Sequence, residues 1–117
     1  MNNYKELAIW KRSIKLATSI YKITGSFPSE EKFGLVYQMR RSAVSIPSNI
    51  AEGAGRKSNK EFSQFLSISY GSLCELETQV IISNELEFLI SSEVDQIILE
   101  IDEIQKMTYA LINKFSS

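Results

Sequence analysis

The sequence predicts an all-α fold, a single up-down-up-down antiparallel four-helix bundle that occupies residues 1–117 as one domain. Apolar residues recur at alternating steps of three and four residues in four separate segments, which is the spacing of an amphipathic helix. Each segment is about 20 residues long, and the connections are short, so consecutive helices are expected to be antiparallel neighbours. No segment shows the two-residue alternation that is typical of a half-buried strand.

The first helix is predicted over residues 4–24, with two apolar lines side by side. The main line is expected to form the bundle seam and consists of Leu7, Trp10, Ile14, Ala17, Tyr21 and Thr24. The second line consists of Ile9, Leu16, Ile20 and Ile23. A helix that is apolar over so wide an arc needs cover on more than one side. Gly25 is expected to end the helix in the left-handed conformation, shortly before Pro28.

The second helix is predicted over residues 29–53, with Ser29 as its N-cap. Pro47 lies inside this segment, where it removes one amide donor and crowds the carbonyl of Ala43. The apolar spacing continues across Pro47, which favours one helix kinked at that residue over two separate helices. The glycines at positions 53 and 55 are expected to break the helix.

The third and fourth helices are predicted from their capping patterns. Ser58 and Glu61 have the spacing of a capping box, and the apolar seam runs from there to about residue 84. A ridge of small residues along this helix includes Gly71 and Cys74, and a glycine inside a helix suggests that another helix packs against it. Cys74 is expected to be a buried, inert thiol. The fourth helix is predicted to begin near Ser92.

The composition limits the chemistry of the chain. There is no histidine and only one cysteine, so the usual general base, a zinc site, a di-iron site and an internal disulfide are all disfavoured. Glu75 and Glu77 are two residues apart and point to different helix faces, which makes them a poor acid–base pair. The prediction is therefore a protein with no catalytic residues, cofactor or metal. Without a secretory signal or a membrane-length apolar run, a cytoplasmic location is expected.

The charge is distributed unevenly along the chain. Residues 1–60 hold 11 Lys/Arg and 4 Asp/Glu, whereas residues 61–117 hold 2 Lys/Arg and 10 Asp/Glu. The predicted topology gathers a basic cluster at one end of the bundle, formed by Lys5, Arg56, Lys57, Lys60 and Lys114. This cluster is a candidate nucleic-acid contact. The alternative is that the basic and acidic halves attract each other within the bundle or between subunits. The five tyrosines are scattered along the sequence and are expected to serve the core and interfaces rather than to stack on bases.

Several residues and motifs along nearly the whole chain resemble one known family. They are Trp10, Tyr21, Phe27-Pro28, Gly34-Leu35, Gln38, Arg41, the run at residues 45–53 (Ser-Ile-Pro-Ser-Asn-Ile-Ala-Glu-Gly), Phe62, Phe65-Leu66, Gly71-Ser72-Leu73, Glu75 and Glu77-Thr78. The chain is similar to the bacterial four-helix bundle proteins that are also called 23S rRNA-intervening-sequence proteins. The resemblance implies a four-helix bundle that assembles as a ring-like homopentamer. Related proteins are the accessory variability determinants of diversity-generating retroelements, which bind nucleic acid and a reverse transcriptase through a basic surface. The pI of about 5.5 departs from that pattern.

A polar stripe follows the second helix at steps of three and four residues, through Gln38, Arg41, Ser45, Ser48 and Glu52. It is either a solvated face, a ligand groove or a subunit contact. Because the resemblance centres on these residues, we predict a subunit contact formed by Gln38, Arg41, Ser45, Ser48, Asn49, Glu52, Gly71 and Glu75. Arg41 is expected to pair with Glu75 or Glu77, within or between subunits, because its guanidinium can donate two parallel hydrogen bonds to a carboxylate.

The sequence thus predicts a non-enzymatic, homo-oligomeric scaffold or adaptor, pentameric as the resemblance implies, with RNA as the leading partner. The first alternative is a nucleic-acid-binding accessory subunit of a reverse-transcriptase-like partner. A remote alternative is an enzyme of unknown class. No membrane association and no small-molecule substrate are expected.

Overall fold

A computed structural model describes residues 3–116 and contains four long helices and no strand within that range. The helices are α1 (Ala8–Thr24), α2 (Leu35–Ala54), α3 (Asn59–Glu85) and α4 (Ser91–Phe115). Two short 3₁₀ turns, Tyr4–Glu6 and Ser29–Glu31, precede α1 and α2. The predicted all-α four-helix bundle is confirmed. No helix in the described range combines the length and the apolar character that crossing a membrane requires.

The helices pack in the order in which they follow one another, and the bundle measures 43 × 23 × 20 Å. The α2–α3 contact is the most extensive and the α1–α4 contact the least, while the diagonal pairs, α1 with α3 and α2 with α4, have no Cα atoms within 8 Å of each other. The helices therefore occupy the corners of a square, with the diagonal pairs kept apart by the core. The side chains that fill this core with little or no exposure include Ile9, Leu16, Ile20, Met39, Ile46, Ile50, Phe62, Leu66, Leu73, Leu76, Ile101 and Ile104.

The first helix buries most of the second predicted apolar line but only part of the expected seam, of which Ala17 and Thr24 are buried. Ile9, Leu16 and Ile20 lie in the core, whereas Ile14 and Tyr21, from the line expected to form the seam, are 39% and 45% exposed. Both lines are apolar, and the choice between them depends on the direction from which α2 and α4 approach. The consequence is an apolar edge of α1 that its own chain leaves partly uncovered.

The helix ends also correct the sequence predictions. Residues 4–7 form a 3₁₀ turn and an extended residue instead of the first turn of α1. Gly25 ends α1 in the right-handed region, with φ −62°, so the predicted left-handed cap is wrong. Ser29 does not cap α2. That role falls to Glu31, whose carboxylate accepts a hydrogen bond from the amide of Leu35 at 3.1 Å. The connection between α1 and α2 runs through residues 28–34. Residues 29–34 were expected to belong to the second helix.

The second helix runs through Pro47 without interruption, so the prediction of one helix over two is confirmed. The kink at Pro47 stays a prediction. The helix also continues through Gly53 to its last residue, Ala54, and Gly55 is its C-cap. Gly53 is therefore not a helix breaker, and its role lies in the packing of α2 on α3.

The capping box predicted for α3 is half formed. Ser58 is the N-cap, and its hydroxyl oxygen accepts from the amide of Glu61 at 3.1 Å. The Glu61 carboxylate accepts from the Ser58 hydroxyl instead of the Ser58 amide. At the start of α4, the Glu93 carboxylate accepts from the amide of Ile90 at 3.3 Å, so an acidic side chain in the first turn satisfies one free helix amide.

Candidate interaction surfaces

The polar stripe of α2 lies partly against α3, where it joins the two helices. The Ser45 and Ser72 hydroxyls are 2.9 Å apart, and the Asn49 amide donates to the Ser45 carbonyl and hydroxyl at 2.9 and 3.0 Å. One turn earlier, the buried Ser42 donates to the Glu75 carboxylate at 2.8 Å. Ser42 was not among the predicted site residues, although a serine at the edge of the apolar face is a usual partner for a carboxylate on the next helix. These bonds hold α2 against α3 within one chain.

The rest of the stripe, Gln38, Arg41, Ser48 and Glu52, is exposed. Glu52 pairs with Arg56 one turn along the helix, at 2.9 Å. Arg41 forms no ion pair with any carboxylate in the described part of the chain, so the predicted pairing does not occur within the subunit. Its pairing with a carboxylate of a second subunit stays a prediction. Glu77, the other proposed partner, accepts from the Gln105 amide on α4 at 3.4 Å.

Two helix glycines have opposite surroundings. A Cβ atom added to Gly53 would lie 2.5 Å from Cβ of Phe65 and 3.1 Å from Cδ1 of Phe62, so α2 and α3 approach too closely here for any side chain. A Cβ atom added to Gly71 would meet nothing within 4 Å among residues 3–116. Gly71 was predicted to mark a close helix contact, and no helix of its own chain supplies that contact.

Two corners of the bundle carry exposed apolar side chains. A groove of about 490 Å³ between α1 and α2 is lined by apolar side chains that include Trp10, Ile14 and Val44. On the outward face of α3, Ile68 and Ile82 are 51% and 44% exposed, with Gly71 between them along the helix. Since α1 and α3 are diagonal to each other, these surfaces face in different directions.

The helix ends that carry the predicted basic cluster lie at one end of the bundle, and a nucleic-acid contact there stays a prediction. Phe115 at the end of α4 packs on Phe62 near the start of α3, with ring centroids 5.2 Å apart. Arg56 lies over the Phe65 ring at 4.8 Å. These contacts bring together the helix ends that carry Arg56, Lys57, Lys60 and Lys114, and the contact of the Tyr4–Glu6 turn with α2 adds Lys5. The same end holds the carboxylates of Glu6, Glu52 and Glu61, so its excess of positive charge is modest.

An arginine cluster joins α1 to α4 on the most open side of the bundle. Arg12 donates to both oxygens of Glu100, through Nε at 2.8 Å and Nη2 at 2.9 Å, and also pairs with Glu103. The hydrogen bonds from Glu100 and Glu103 raise the pKa of Arg12 above its ordinary value, so the side chain remains charged. This ion-pair cluster was not predicted from the sequence, because nothing in the spacing along either helix shows which charged positions face each other.

Cys74 is exposed, so the expectation of a buried thiol is wrong. Its sulfur accepts a weak hydrogen bond from Gln105 at 3.8 Å. The cysteine lies on the small-residue ridge of α3, which faces outward, towards the edge shared with α4. Within residues 3–116, no group of three or more His, Cys, Asp or Glu side chains is placed to hold a metal ion.

The fold and these surfaces define a class of small antiparallel helical bundles with uncovered apolar corners and a basic end. The model of the 23S rRNA-intervening sequence protein family matches residues 5–110, and the chain belongs to that family.

The fold recurs in a solved structure that is similar to this chain. It is the crystal structure of a protein of unknown function from the S23 ribosomal protein family of Bacteroides thetaiotaomicron. The TM-score is 0.81 at 24% sequence identity, and the alignment covers 90% of this chain and 98% of that one. No curated protein matches the chain.

Proposed function

We propose that this protein is a non-enzymatic subunit of a homo-oligomer, a pentameric ring as the family resemblance implies, which acts as a scaffold or adaptor that binds RNA. The observation that carries the proposal is the uncovered apolar surface at two corners of the bundle. Large apolar patches on a soluble protein are typical of interaction sites.

The geometry favours a head-to-tail contact. The α1–α2 groove and the outward face of α3 point in different directions, so the groove of one subunit can receive the α3 face of the next. A contact between two different patches generates a ring when the rotation closes. Gly71 fits this role, since a helix position with no side chain lets a neighbouring helix approach closely.

The polar stripe borders this contact. The Ser45–Ser72 and Ser42–Glu75 hydrogen bonds fix α2 against α3 within the subunit, and Asn49 bonds to Ser45 on its own helix. The exposed members Gln38, Arg41 and Ser48 are available to bond to the neighbour, whereas Glu52 already pairs with Arg56. Arg41 is the strongest of them, because an unpaired guanidinium at the edge of an apolar contact gains most from a carboxylate on the partner.

The basic end supports the RNA part of the proposal. A ring repeats Lys5, Arg56, Lys57, Lys60 and Lys114 once per subunit around one rim. A single copy is weakly basic, but repetition produces a continuous positive potential that attracts phosphates. The lack of histidine in the sequence supports the non-enzymatic role.

The same rim supports a second candidate, an accessory subunit that presents nucleic acid to a reverse-transcriptase-like partner. The two candidates differ in whether a polymerase is needed for function, and the overall acidity of the chain favours the scaffold. The remote alternative, an enzyme of unknown class, has no residue constellation in its favour.

The test combines mass and RNA binding. Native mass spectrometry of the purified protein should give a multiple of the 13.3 kDa subunit. RNA affinity should fall steeply with salt, and the double variant Lys57→Gln/Lys60→Gln should reduce the slope by about 0.7 for each single-strand phosphate that the variant no longer neutralises. The control Lys15→Gln/Lys22→Gln removes the same charge from α1, away from the rim, and should bind nearly as wild type. A monomer, or an RNA affinity that does not change with salt, would refute the proposal.

A further inference from the structure

The tyrosines that are scattered along the sequence are partly grouped in the structure. Tyr21 of α1, Phe33 of the connection and Tyr37 of α2 line one groove of about 800 Å³ on the outer face of α2. Phe33 is 84% exposed and Tyr37 is 55% exposed. The groove lies within the size range of about 300–1,000 Å³ that is usual for ligand sites. Three aromatic rings at a groove on the surface contribute nothing to the core.

Cations alternate with these rings. Lys32, Arg40 and Arg41 line the groove, against the single carboxylate of Glu75. The Arg40 guanidinium lies 4.6 Å from the Tyr21 ring centroid and donates to the Tyr21 carbonyl at 3.1 Å. Arg40 is therefore held in place and fixes the Tyr21 ring.

The remaining charges are less constrained. The Lys32 ammonium lies 5.5 Å from the Phe33 ring centroid, and neither Lys32 nor Arg41 forms an ion pair in the described part of the chain. One oxygen of Glu75 already accepts from Ser42. The groove thus has positive charge without an ion-pair partner beside the exposed rings of Phe33 and Tyr37.

We propose that this groove binds a short single-stranded segment of RNA, with bases stacked on Phe33 and Tyr37 and a phosphate at Lys32. The proposal rests on the RNA association proposed above and locates a second contact away from the basic end. Proteins often bind single strands with a positive groove that contains interleaved aromatic side chains. Each base offers a ring face for stacking, and each nucleotide carries a phosphate that the positive charge attracts. A duplex keeps its bases stacked on each other and cannot use these rings.

The test compares single and double strands. Fluorescence anisotropy measures binding of a labelled mixed-sequence RNA of about 10 nucleotides, alone or annealed to its complement, in about 50 mM salt. The variant Phe33→Leu/Tyr37→Leu keeps apolar volume but removes both aromatic rings. It should weaken single-strand binding about 30-fold or more, since stacking contributes a factor of roughly five or more per base and two rings are removed, and it should leave duplex binding unchanged. Tyr109→Leu on α4, where the side chain is 56% exposed, is the matched control and should bind as wild type.

Each other outcome overturns a defined part of the proposal. If Phe33→Leu/Tyr37→Leu binds single strands as wild type while Lys57→Gln/Lys60→Gln does not, the groove proposal fails and the proposed function stands. If the wild type binds neither RNA, the proposed RNA association fails and the groove proposal fails with it. If Phe33→Leu/Tyr37→Leu changes the native mass, the occupant of the groove is a second copy of the chain.

Discussion

Replacing Gly53 by alanine tests whether α2 and α3 are locked together at the basic end. The added Cβ would lie 2.5 Å from Cβ of Phe65, an atom bonded to the backbone that cannot turn aside. Separating the helices to accommodate it costs about 1–3 kcal/mol, as overpacking usually does. Alanine returns about 1 kcal/mol through its higher helix propensity. The net expectation for Gly53→Ala is a loss of about 0–2 kcal/mol, centred near 1 kcal/mol, in the free energy of unfolding.

The assay is thermal denaturation followed by circular dichroism, with Gly55→Ala as the matched control. A Cβ at Gly55 would lie 3.5 Å from the Glu52 carbonyl oxygen, which is an ordinary contact, and the φ of Gly55 is −83°. Gly53→Ala should lower Tm by roughly 4–8 °C, and Gly55→Ala should leave it unchanged or raise it slightly. If Gly53→Ala melts at or above the wild-type temperature, the close approach of α2 and α3 at Phe65 is refuted.

Three further substitutions test other contacts. Arg12→Lys removes the bidentate hydrogen bond to Glu100, so urea denaturation should show a free energy of unfolding that is lower by about 1 kcal/mol in low salt. The loss should be smaller in high salt, because the pair is one-third exposed. An unchanged midpoint at low salt would contradict this. Ser69→Ala removes the buried hydrogen bond to the Ile46 carbonyl and should cost about 0.5–1.5 kcal/mol, whereas Ser67→Ala, whose hydroxyl bonds only within its own helix, should cost little; equal effects would argue against the helix–helix bond. Arg41→Ala should weaken assembly on dilution, measured by mass photometry, and the subunit-contact idea fails if both the mass and Tm stay at wild-type values.

The fold could be predicted from the sequence because the apolar spacing, the capping residues and the short connections all favour the same architecture. The α3 N-cap at Ser58 is an example, because its side chain and Glu61 act within one turn and need no information from the rest of the chain. The continuity of α2 through Pro47 followed in the same way from uninterrupted spacing on both sides of that residue.

The sequence could not determine which of two apolar faces turns inward. On α1, Ile14 and Ile20 are equally apolar, and only the approach of the neighbouring helices decides that Ile20 is buried and Ile14 exposed. The role of Gly53 was missed for the same reason. This glycine has the sequence surroundings of a helix end, and only the position of Phe65 on α3 shows that it is a packing residue.

The candidate surfaces were predictable in part. The basic end follows from topology alone, since alternating helices bring known chain positions to a common end. The pairing of Arg12 with Glu100 and the grouping of Tyr21 with Phe33 depend on helix rotation, which spacing along one helix does not fix.

The most direct test of the proposed assembly is the mass of the protein under native conditions, before and after Gly71→Arg. A Cβ atom at Gly71 would meet nothing within 4 Å in residues 3–116, so the arginine should leave the subunit folded, with an unchanged helical circular dichroism spectrum. We expect the wild type to be a closed oligomer, pentameric as proposed, and we expect Gly71→Arg to dissociate it, whereas Ser92→Arg on α4 should not. A wild-type protein that has the 13.3 kDa mass of one chain at high concentration would contradict the proposed assembly, and so would an oligomer that Gly71→Arg leaves intact.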